Sequence, residues 1–446
     1  MRIVHLVAGA GGMYCGSCLH ANTLVAALRQ AGHEAFLVPL YTPLRVDEED
    51  VSDRHLALGG INVYLHERVS WFRFVPRPLA RLLDNRRLLR WIGRRGFSTR
   101  PESLGALTVS MLRGEEGRQR RELETLARWL GDHLRPEVIH LSNVMLSGTA
   151  RVLGRRLRVP VVCSLSGEDL FLEKLAEPHY GEARAALRER AGELAALVAM
   201  NRYYADFMAD YLSVPRERIH VVPPGLNLEG HGAGRAARRK ATAEQPATIG
   251  FLARICPEKG LHLLAEAFAL LAADKELPPT RLLAAGYLAV TDRPYLETVR
   301  SRLAASGLAD RFRYVGELDR SGKITFLQSL DVMSTPTIYR ESKGLPVLEA
   351  WANAVPVVLP AHGTFPEMVE DTGGGLLFEP GNAAELAAAL KRMITEPDLA
   401  RQCGRRGQEA VRLRYHAPAM AERIGALYES LRAGSAPDAA SVRGTE

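Results

Sequence analysis

Two cationic side chains mark a predicted strand-to-helix turn in the second half of the chain. Residues 248–252 predict a buried strand, the run ARICPEKG follows, and a helical pattern comes next. Such a turn favours an anion through its free backbone amides and the helix dipole. Arg254 offers a planar fork to phosphate oxygens, and Lys259 offers a compact charge. The pattern indicates a phosphate site; the alternative is a solvated helix start in which Lys259 pairs with Glu258 or another acid.

A second loop carries two glutamates eight residues apart. The run PTIYRESKGLPVLEA at 336–350 follows a predicted strand, and its second proline suits the first turn of a helix. Glu341 then precedes this helix, and Glu349 lies about one turn inside it. Free amides near Gly344 and Leu345 can face a diphosphate, while ionised carboxylates accept paired hydrogen bonds from sugar hydroxyls. We expect a diphosphate bracketed by the two acids; otherwise one is a surface acid and the other a mid-helix acid.

The loop after the first predicted strand is rich in glycine. The run GAGGMYCG occupies 9–16, and Gly11, Gly12 and Gly16 let backbone amides approach a phosphate closely. A dinucleotide fingerprint needs a third glycine where Tyr14 stands, and no acid closes the second predicted strand. A nicotinamide or flavin site is therefore disfavoured. The alternative is a tight turn without a ligand.

Strand-like and helix-like segments alternate along most of the chain, which predicts parallel sheets with helical crossovers. We predict strands at residues 3–8, 35–40, 62–65, 138–141, 161–164, 197–200, 219–222, 248–252, 281–285, 312–315, 332–334 and 355–359. The main helices are predicted at residues 17–30, 118–134, 203–212, 259–272, 295–305, 324–329, 345–353, 384–394 and 418–431.

A chain of 446 residues exceeds what one hydrophobic core usually serves. We therefore predict an α/β protein of two doubly wound, Rossmann-like domains that face each other across a cleft. The predicted parts are an N-terminal domain at 1–229, a linker at 230–246, a C-terminal domain at 247–415, a helix at 416–432 that packs back on the N-terminal domain or ends the second one, and a disordered tail at 433–446.

Composition is that of an ordinary globular protein, with 47% hydrophobic and 24% charged residues. No apolar run approaches the roughly 20 residues that cross a bilayer, and the first apolar stretch is too short for a secretory signal. Five cysteines give no disulfide framework, so a cytoplasmic location is expected. The histidines lack ligand spacing, so no metal site is predicted.

Cys15 and Cys18 lie between a strand and a helix, where a redox pair would sit. The chain is much longer than a small redox domain, so we interpret them as packing residues, with redox or zinc chemistry as the alternative.

Residues 71–100 contain nine Arg and one acid, Asp84, and apolar residues stand between the arginines. This pattern suits a helix on an anionic membrane surface, which would make the protein peripherally membrane-associated. The alternative is an amphipathic helix that covers the first sheet and keeps its arginines in water. No nucleic-acid-binding module is recognised, so no nucleic-acid partner is expected.

Taken together, the loops resemble the retaining glycosyltransferases of the GT-B fold, the family-four or group 1 type. The resemblance depends on the order of several motifs: the glycine loop, AGHE at 31–34, PEVIH at 136–140, GFLAR at 250–254, EKG at 258–260, the two glutamates, VPVV at 355–358, GTFPEMV at 363–369 and GLLFEPG at 375–381. It covers nearly the whole chain and is weak between residues 47 and 137.

This resemblance implies that the chain moves a sugar from a nucleotide-sugar to an acceptor hydroxyl with retention of configuration. Arg254 and Lys259 would hold the diphosphate and stabilise the leaving group, Glu341 would contact the sugar, and Glu349 the ribose. Backbone amides would face the diphosphate and the sugar at Gly11, Gly12, Gly16, Gly344 and Leu345. The protein cations would replace a metal, so no cofactor is expected. Many members of the family use lipid-linked or envelope acceptors.

One position departs from the family. After the strand at 161–164 the family usually carries a histidine that meets the sugar, and here the run SLSGED puts Ser166 in its place. Ser166, Glu168 or Asp169 then takes over that contact; alternatively, the two acids only cap the following helix. The remaining hypotheses are a phosphorylase or epimerase on the same scaffold, or an inactive protein that binds a nucleotide-sugar or a membrane surface.

Overall fold

Two compact units make up the chain, and the computed structural model describes residues 1–9, 15–53, 101–232 and 245–435. The first unit is Met1–Gly225 with Ala417–Glu446, and the second is Leu226–His416. Several predicted features lie wholly or partly outside the described residues: Gly11, Gly12, the strand at 62–65, the basic segment at 71–100, residues 233–244 of the linker and residues 436–446 of the tail. Residues 433–435, predicted as part of the disordered tail, instead belong to the last helix, Ala417–Ser435.

A parallel sheet forms the centre of the first unit. Its strands are β1 (Arg2–Val7), β2 (Glu34–Pro39), β3 (Val138–Leu141), β4 (Val161–Ser164), β5 (Ala196–Ala199) and β6 (Ile219–Val221). Their order is β2-β1-β3-β4-β5-β6, and all neighbours are parallel. The inner strands β3, β4 and β5 are buried along their whole length because helices cover both faces. The strand order reverses beside β1, which is the switch point of a doubly wound sheet.

The helices of this unit are α1 (Gly16–Gln30), α2 (Pro101–Arg113), α3 (Arg120–Trp129), α4 (Ala150–Leu157), α5 (Asp169–Leu172), α6 (His179–Gly192), α7 (Arg202–Leu212) and the last helix of the chain, α15 (Ala417–Ser435). Helix α15 packs against α1 and shares its core through buried Met420, Ile424 and Tyr428. Cys18 is buried in the same core, and none of the five cysteines forms a disulfide.

The second unit repeats this architecture. Its strands are β7 (Ala247–Leu252), β8 (Thr280–Ala285), β9 (Phe312–Gly316), β10 (Val332–Ser334), β11 (Val357–Pro360) and β12 (Gly375–Phe378). They are parallel in the order β12-β11-β10-β7-β8-β9. Here the order reverses between β7 and β10, so the loops that follow these two strands meet at the carboxyl edge of the sheet.

The helices of the second unit are α8 (Leu261–Ala273), α9 (Arg293–Ala305), α10 (Arg320–Gln328), α11 (Leu345–Ala352), α12 (Phe365–Thr372), α13 (Ala383–Thr395) and α14 (Pro397–Arg414). The helix predicted at 259–272 begins two residues later, because Gly260 adopts φ +76° and ends a short 3-10 turn, Pro257–Lys259. No helix within the described ranges is long and apolar enough to cross a membrane.

Candidate active site

The loops after β7 and β10 are joined directly at the switch point of the second sheet. The backbone N–H of Ile338 donates to the carbonyl oxygen of Glu258 at 3.0 Å. The same loops touch at Gly260, where a Cβ would lie 1.8 Å from the carbonyl oxygen of Pro336. Only glycine combines this contact with its positive φ. The local backbone therefore holds the residues around 259 against those around 339.

Lys259, Tyr339 and Glu341 form a closed triangle in this junction. The Lys259 Nζ lies 2.6 Å from Glu341 Oε2, and the Tyr339 hydroxyl donates to the same oxygen at 2.7 Å. The lysine also bonds to the Tyr339 hydroxyl and lies 4.8 Å from the centre of its ring. The lysine and glutamate side chains are only 17% and 10% exposed. The acid that pairs with Lys259 is thus Glu341, in a nearly buried junction rather than at a solvated helix start, and Glu341 is not a surface acid.

The carboxylate of Glu341 is also held on its other side. Its Oε1 accepts backbone N–H groups of Ser342 at 3.1 Å and Lys343 at 3.2 Å. Burial alone would raise the pKa of Glu341, but the charge of Lys259 and the hydrogen bonds from Lys259 and Tyr339 lower it to about 2. Burial and the adjacent carboxylate raise the pKa of Tyr339 well above its usual value. At neutral pH the glutamate is therefore ionised and the phenol is a hydrogen-bond donor.

Arg254 and the start of α11 complete this part of the site. Arg254 is exposed on the loop after β7, within electrostatic reach of Glu258 and Tyr339. Gly344 adopts φ +69° at the N-cap of α11, and Leu345 is the first helical residue. The open cation and the amides at the helix start offer an anion the kind of binding that phosphate prefers.

Glu349 lies inside α11, as predicted, and its partner is a residue that sequence reasoning missed. Its carboxylate forms an ion pair with Lys323 on α10, and the two side chains are 14% and 11% exposed. The helix predicted at 324–329 begins at Arg320 in the structure, so Lys323 fell outside the predicted element. The available signal was composition, since Lys323 is one of seven lysines beside 51 arginines.

A second polar cluster surrounds Ser166 in the first unit. The Ser17 hydroxyl, in the first turn of α1 beside Gly16, donates to the Ser166 hydroxyl at 3.2 Å. Ser166 in turn donates its hydroxyl to Glu168 at 3.0 Å and its backbone N–H at 2.8 Å. Glu168 is 6% exposed and also accepts the backbone N–H of Val144 at 3.3 Å. A buried carboxylate thus takes its hydrogen bonds from two neighbouring loops.

Tyr204 on α7 connects this cluster to Asp169. Its hydroxyl lies 2.7 Å from Asp169 Oδ1 and 3.3 Å from Glu168 Oε2, and it accepts the backbone N–H of Gly167 at 2.8 Å. Burial raises the pKa of Asp169, and the hydrogen bond from Tyr204 opposes this rise. Glu168 occupies the N-cap position of α5 without a side-chain cap hydrogen bond, so its carboxylate serves the loops instead. Sequence reasoning did not single out Ser17 or Tyr204.

Comparisons with known proteins agree with this architecture. The model of the family described as Glycosyl transferases group 1 matches residues 235–410, and that of Glycosyltransferase Family 4 matches residues 105–229. Sucrose-phosphate synthase from Thermosynechococcus elongatus is similar with a TM-score of 0.70 and 17% identity, over 97% of this chain and 100% of that one. HepE from Anabaena, solved with UDP and glucose, is similar with a TM-score of 0.66 and 16% identity, over 96% and 100%.

Several proteins of similar sequence are named as glycosyltransferases. A 2-deoxystreptamine glucosyltransferase from Streptomyces kanamyceticus is 29% identical over 60% of this chain and 70% of its own length. A D-inositol 3-phosphate glycosyltransferase from Geodermatophilus obscurus is 31% identical over 59% and 60%. A phosphatidyl-myo-inositol mannosyltransferase from Mycobacterium leprae is 31% identical over 47% and 53%. The chain belongs to the group 1 glycosyltransferases and has the GT-B fold.

Proposed function

We propose that this glycosyltransferase moves a sugar from a nucleoside diphosphate-sugar to an acceptor hydroxyl, with retention of anomeric configuration and without a bound metal. The observation that carries the proposal is the triangle of Lys259, Tyr339 and Glu341 at a sheet switch point, next to exposed Arg254. HepE, which shares the fold, was solved with UDP-glucose, and this supports a nucleotide-sugar as donor.

The cations act on the leaving group. When the bond between the anomeric carbon and the diphosphate oxygen breaks, negative charge develops on that oxygen. Lys259, Arg254 and the amides at the start of α11 stabilise this charge, which is the role that a divalent metal takes in other transferases. The acceptor oxygen forms the new bond to the anomeric carbon, and its proton passes to the departing diphosphate oxygen or to water. Attack on the same face and a covalent intermediate both leave these roles unchanged.

The acids select the donor through its hydroxyls. Glu341 accepts hydrogen bonds from the transferred sugar, and Glu349 accepts them from the ribose. In the first unit, Ser166, Glu168 and Asp169 supply polar contacts to the sugar in place of the histidine that the family usually has. Gly11, Gly12 and Gly16 let backbone amides approach the diphosphate.

The acceptor class that we propose is a hydroxylated ring. The names of similar enzymes specify D-inositol 3-phosphate, phosphatidyl-myo-inositol and 2-deoxystreptamine. Each is a polyhydroxylated cyclohexane or carries one, so a ring of this type is the first acceptor to try.

The test begins with thermal unfolding against a set of nucleoside diphosphates and their sugar conjugates, because a ligand of the native state raises its stability. Lys259→Ala should weaken binding of the stabilising nucleotide by roughly 1.5–3 kcal/mol, as for a charged hydrogen bond. Lys391→Ala is the matched control, since Lys391 forms an ion pair with Asp274 elsewhere in the unit and is 43% exposed.

Turnover is measured next, with inositol phosphate as acceptor. Glu341→Ala should lose most transfer activity. Product formation with inorganic phosphate in place of the acceptor would instead indicate a phosphorylase. A protein that no nucleotide stabilises, with Lys259→Ala behaving like Lys391→Ala, would contradict the proposal.

A further inference from the structure

The two groups proposed to receive different parts of the donor bind each other in this structure. The ammonium of Lys259 has three N–H groups, and it directs bonds to Glu341 and to the Tyr339 hydroxyl. These two bonds leave one N–H for a diphosphate, so any further bond to the diphosphate requires the lysine to give up part of its contact with Glu341 or Tyr339. The carboxylate thus competes with the phosphate for the same cation.

The glutamate cannot follow the lysine, because its backbone is fixed on both sides. The carbonyl oxygen of Glu341 accepts the backbone N–H of Thr364 at 2.8 Å. Gly363 packs so closely that a Cβ there would lie 2.6 Å from the backbone nitrogen and oxygen of Glu341. The side-chain Oε1 of Glu341 accepts hydrogen bonds from the backbone amides of Ser342 and Lys343. Lys259 has a long, flexible side chain, so it is the lysine that moves.

Separation leaves the carboxylate of Glu341, whose side chain is only 10% exposed, without its cation. Removing one partner of a buried ion pair is costly unless other groups replace it. The Tyr339 hydroxyl remains on Oε2, and further hydrogen-bond donors must come from the ligand. A sugar supplies hydroxyls at this position, whereas a bare nucleoside diphosphate does not.

We propose that Glu341 is a specificity residue that makes the site favour the sugar-bearing donor over the bare nucleoside diphosphate, by holding Lys259 until sugar hydroxyls replace it. This inference rests on the proposed function and deepens it. After transfer, the sugar leaves Glu341, the lysine returns to the carboxylate, and the diphosphate product loses a cation. Glu341 therefore also promotes product release.

The decisive variant is Glu341→Gln. The glutamine oxygen still accepts the two backbone N–H groups, but its amide has no charge to hold Lys259. We expect UDP, GDP or ADP, whichever the wild type binds, to bind the variant about tenfold more tightly by isothermal titration calorimetry, as one competing charged hydrogen bond is lost. The corresponding nucleotide-sugar should gain no affinity. In the Lys259→Met background the same substitution should give no gain, since the gain requires the lysine.

A second test measures the cooperativity between sugar and nucleotide in the wild-type protein. Free glucose or mannose that occupies the sugar position should release Lys259 and so tighten binding of the nucleoside diphosphate. The Glu341→Gln protein should lose this cooperativity. Independent binding of sugar and nucleotide in the wild type, or a Glu341→Gln protein that binds the nucleotide no more tightly, would overturn the inference and leave the proposed function standing. Failure of the wild type to bind any nucleotide or nucleotide-sugar would instead remove the proposed function itself.

Discussion

Lysine is rare in this chain and is concentrated around the site. Three of its seven lysines, Lys259, Lys323 and Lys343, lie on or beside the glutamate loop and its helix, in a protein with 51 arginines. An ammonium on a flexible stem can exchange one oxygen partner for another, whereas a guanidinium favours one fixed, planar geometry. Lysine is therefore the suitable cation where a protein carboxylate and a substrate phosphate compete.

Tyr339 should matter for turnover more than for binding. Tyr339→Phe removes the hydroxyl that donates to Glu341 Oε2, while the lysine can still reach the carboxylate. We expect kcat to fall roughly tenfold to a hundredfold, the range for one hydrogen bond to a charged group, with little change in the donor KM. Steady-state kinetics check this. Tyr180→Phe is the control, because Tyr180 donates a similar hydrogen bond to Glu173 in the first unit. Equal kcat values for the two variants would contradict this role.

Lys323 should determine how well the site distinguishes ribose from deoxyribose. Its ion pair with Glu349 is nearly buried, so it orients the carboxylate that we propose for the ribose hydroxyls. Lys323→Met should weaken binding of the ribonucleotide about tenfold and leave the 2′-deoxy nucleotide nearly unchanged. Calorimetry with both nucleotides measures the ratio. Equal losses for the two ligands, as expected from a purely structural defect, would refute the assignment.

At the scale of elements, the junction between the loops after β7 and β10 depends on one glycine. In Gly260→Ala the new Cβ would meet the carbonyl oxygen of Pro336, and φ is +76°. We expect the free energy of unfolding to fall by about 1–3 kcal/mol, with weaker nucleotide binding as the loops separate. Urea unfolding measures the first effect and calorimetry the second.

Gly307→Ala is a matched control for this prediction. Gly307 has φ +70° in the same unit, yet a Cβ there would meet nothing within 4 Å. It therefore reports the conformational cost alone. If Gly260→Ala is no more damaging than Gly307→Ala, the contact between the loops is not important.

Two histidines, His5 and His140, are buried where β1 and β3 pack under α1 and α15, and they should affect stability in acid. His5 on β1 is 1% exposed, neither ring nitrogen has a hydrogen-bond partner among the described residues, and its ring lies 4.5 Å from that of His140 on β3. Burial, with a smaller effect of His20, lowers the pKa of His5 to about 3. Burial also lowers the pKa of His140, which is hydrogen-bonded to Tyr428 and Ser164.

The direction of the pH effect on stability follows from the different pKa values of His5 in the unfolded and folded protein. An unfolded histidine takes up a proton near pH 6.5, whereas folded His5 does so near pH 3, so the unfolded state binds more protons in between. Stability should therefore fall as the pH is lowered through this window. His5→Leu should flatten the fall, as seen in urea unfolding at pH 7 and pH 5. His133→Leu, at an exposed position, should not. An unchanged pH dependence in His5→Leu would show that other groups cause the acid sensitivity.

At the scale of the whole molecule, charge is distributed very unevenly. The net charge is +7, and residues 71–100, which lie outside the described part of the structure, contribute +8 from nine Arg and one Asp. We expect the protein to sediment with vesicles that contain anionic lipid at low salt and to be released as the salt concentration rises. Vesicles of neutral lipid are the control. Absence of sedimentation at low ionic strength would leave the arginines as a solvated surface.

The sequence by itself determined most of the strands and the organisation into two doubly wound sheets. The strands Val138–Leu141, Val161–Ser164 and Val332–Ser334 begin and end where the sequence predicts, because buried parallel strands are short apolar runs with clear ends. The sequence did not predict strand β12 or helix α14, because the apolar signal is weak in both. Edge strand β12 is only partly buried, and α14 buries mostly small residues such as Gly407, which packs on Trp351.

Only the tertiary structure decided which side chains are partners. Lys259 and Glu341 are 82 residues apart in sequence and meet because the strand order reverses between β7 and β10. Tyr204 and Asp169 are 35 residues apart and meet because they follow the adjacent strands β5 and β4. The last helix packs on α1, near the other end of the chain. Periodicity is a property of neighbouring residues, so it can be read locally. The choice of a charge partner depends on strand order and on which groups share a buried volume, and these are set by packing across the whole unit.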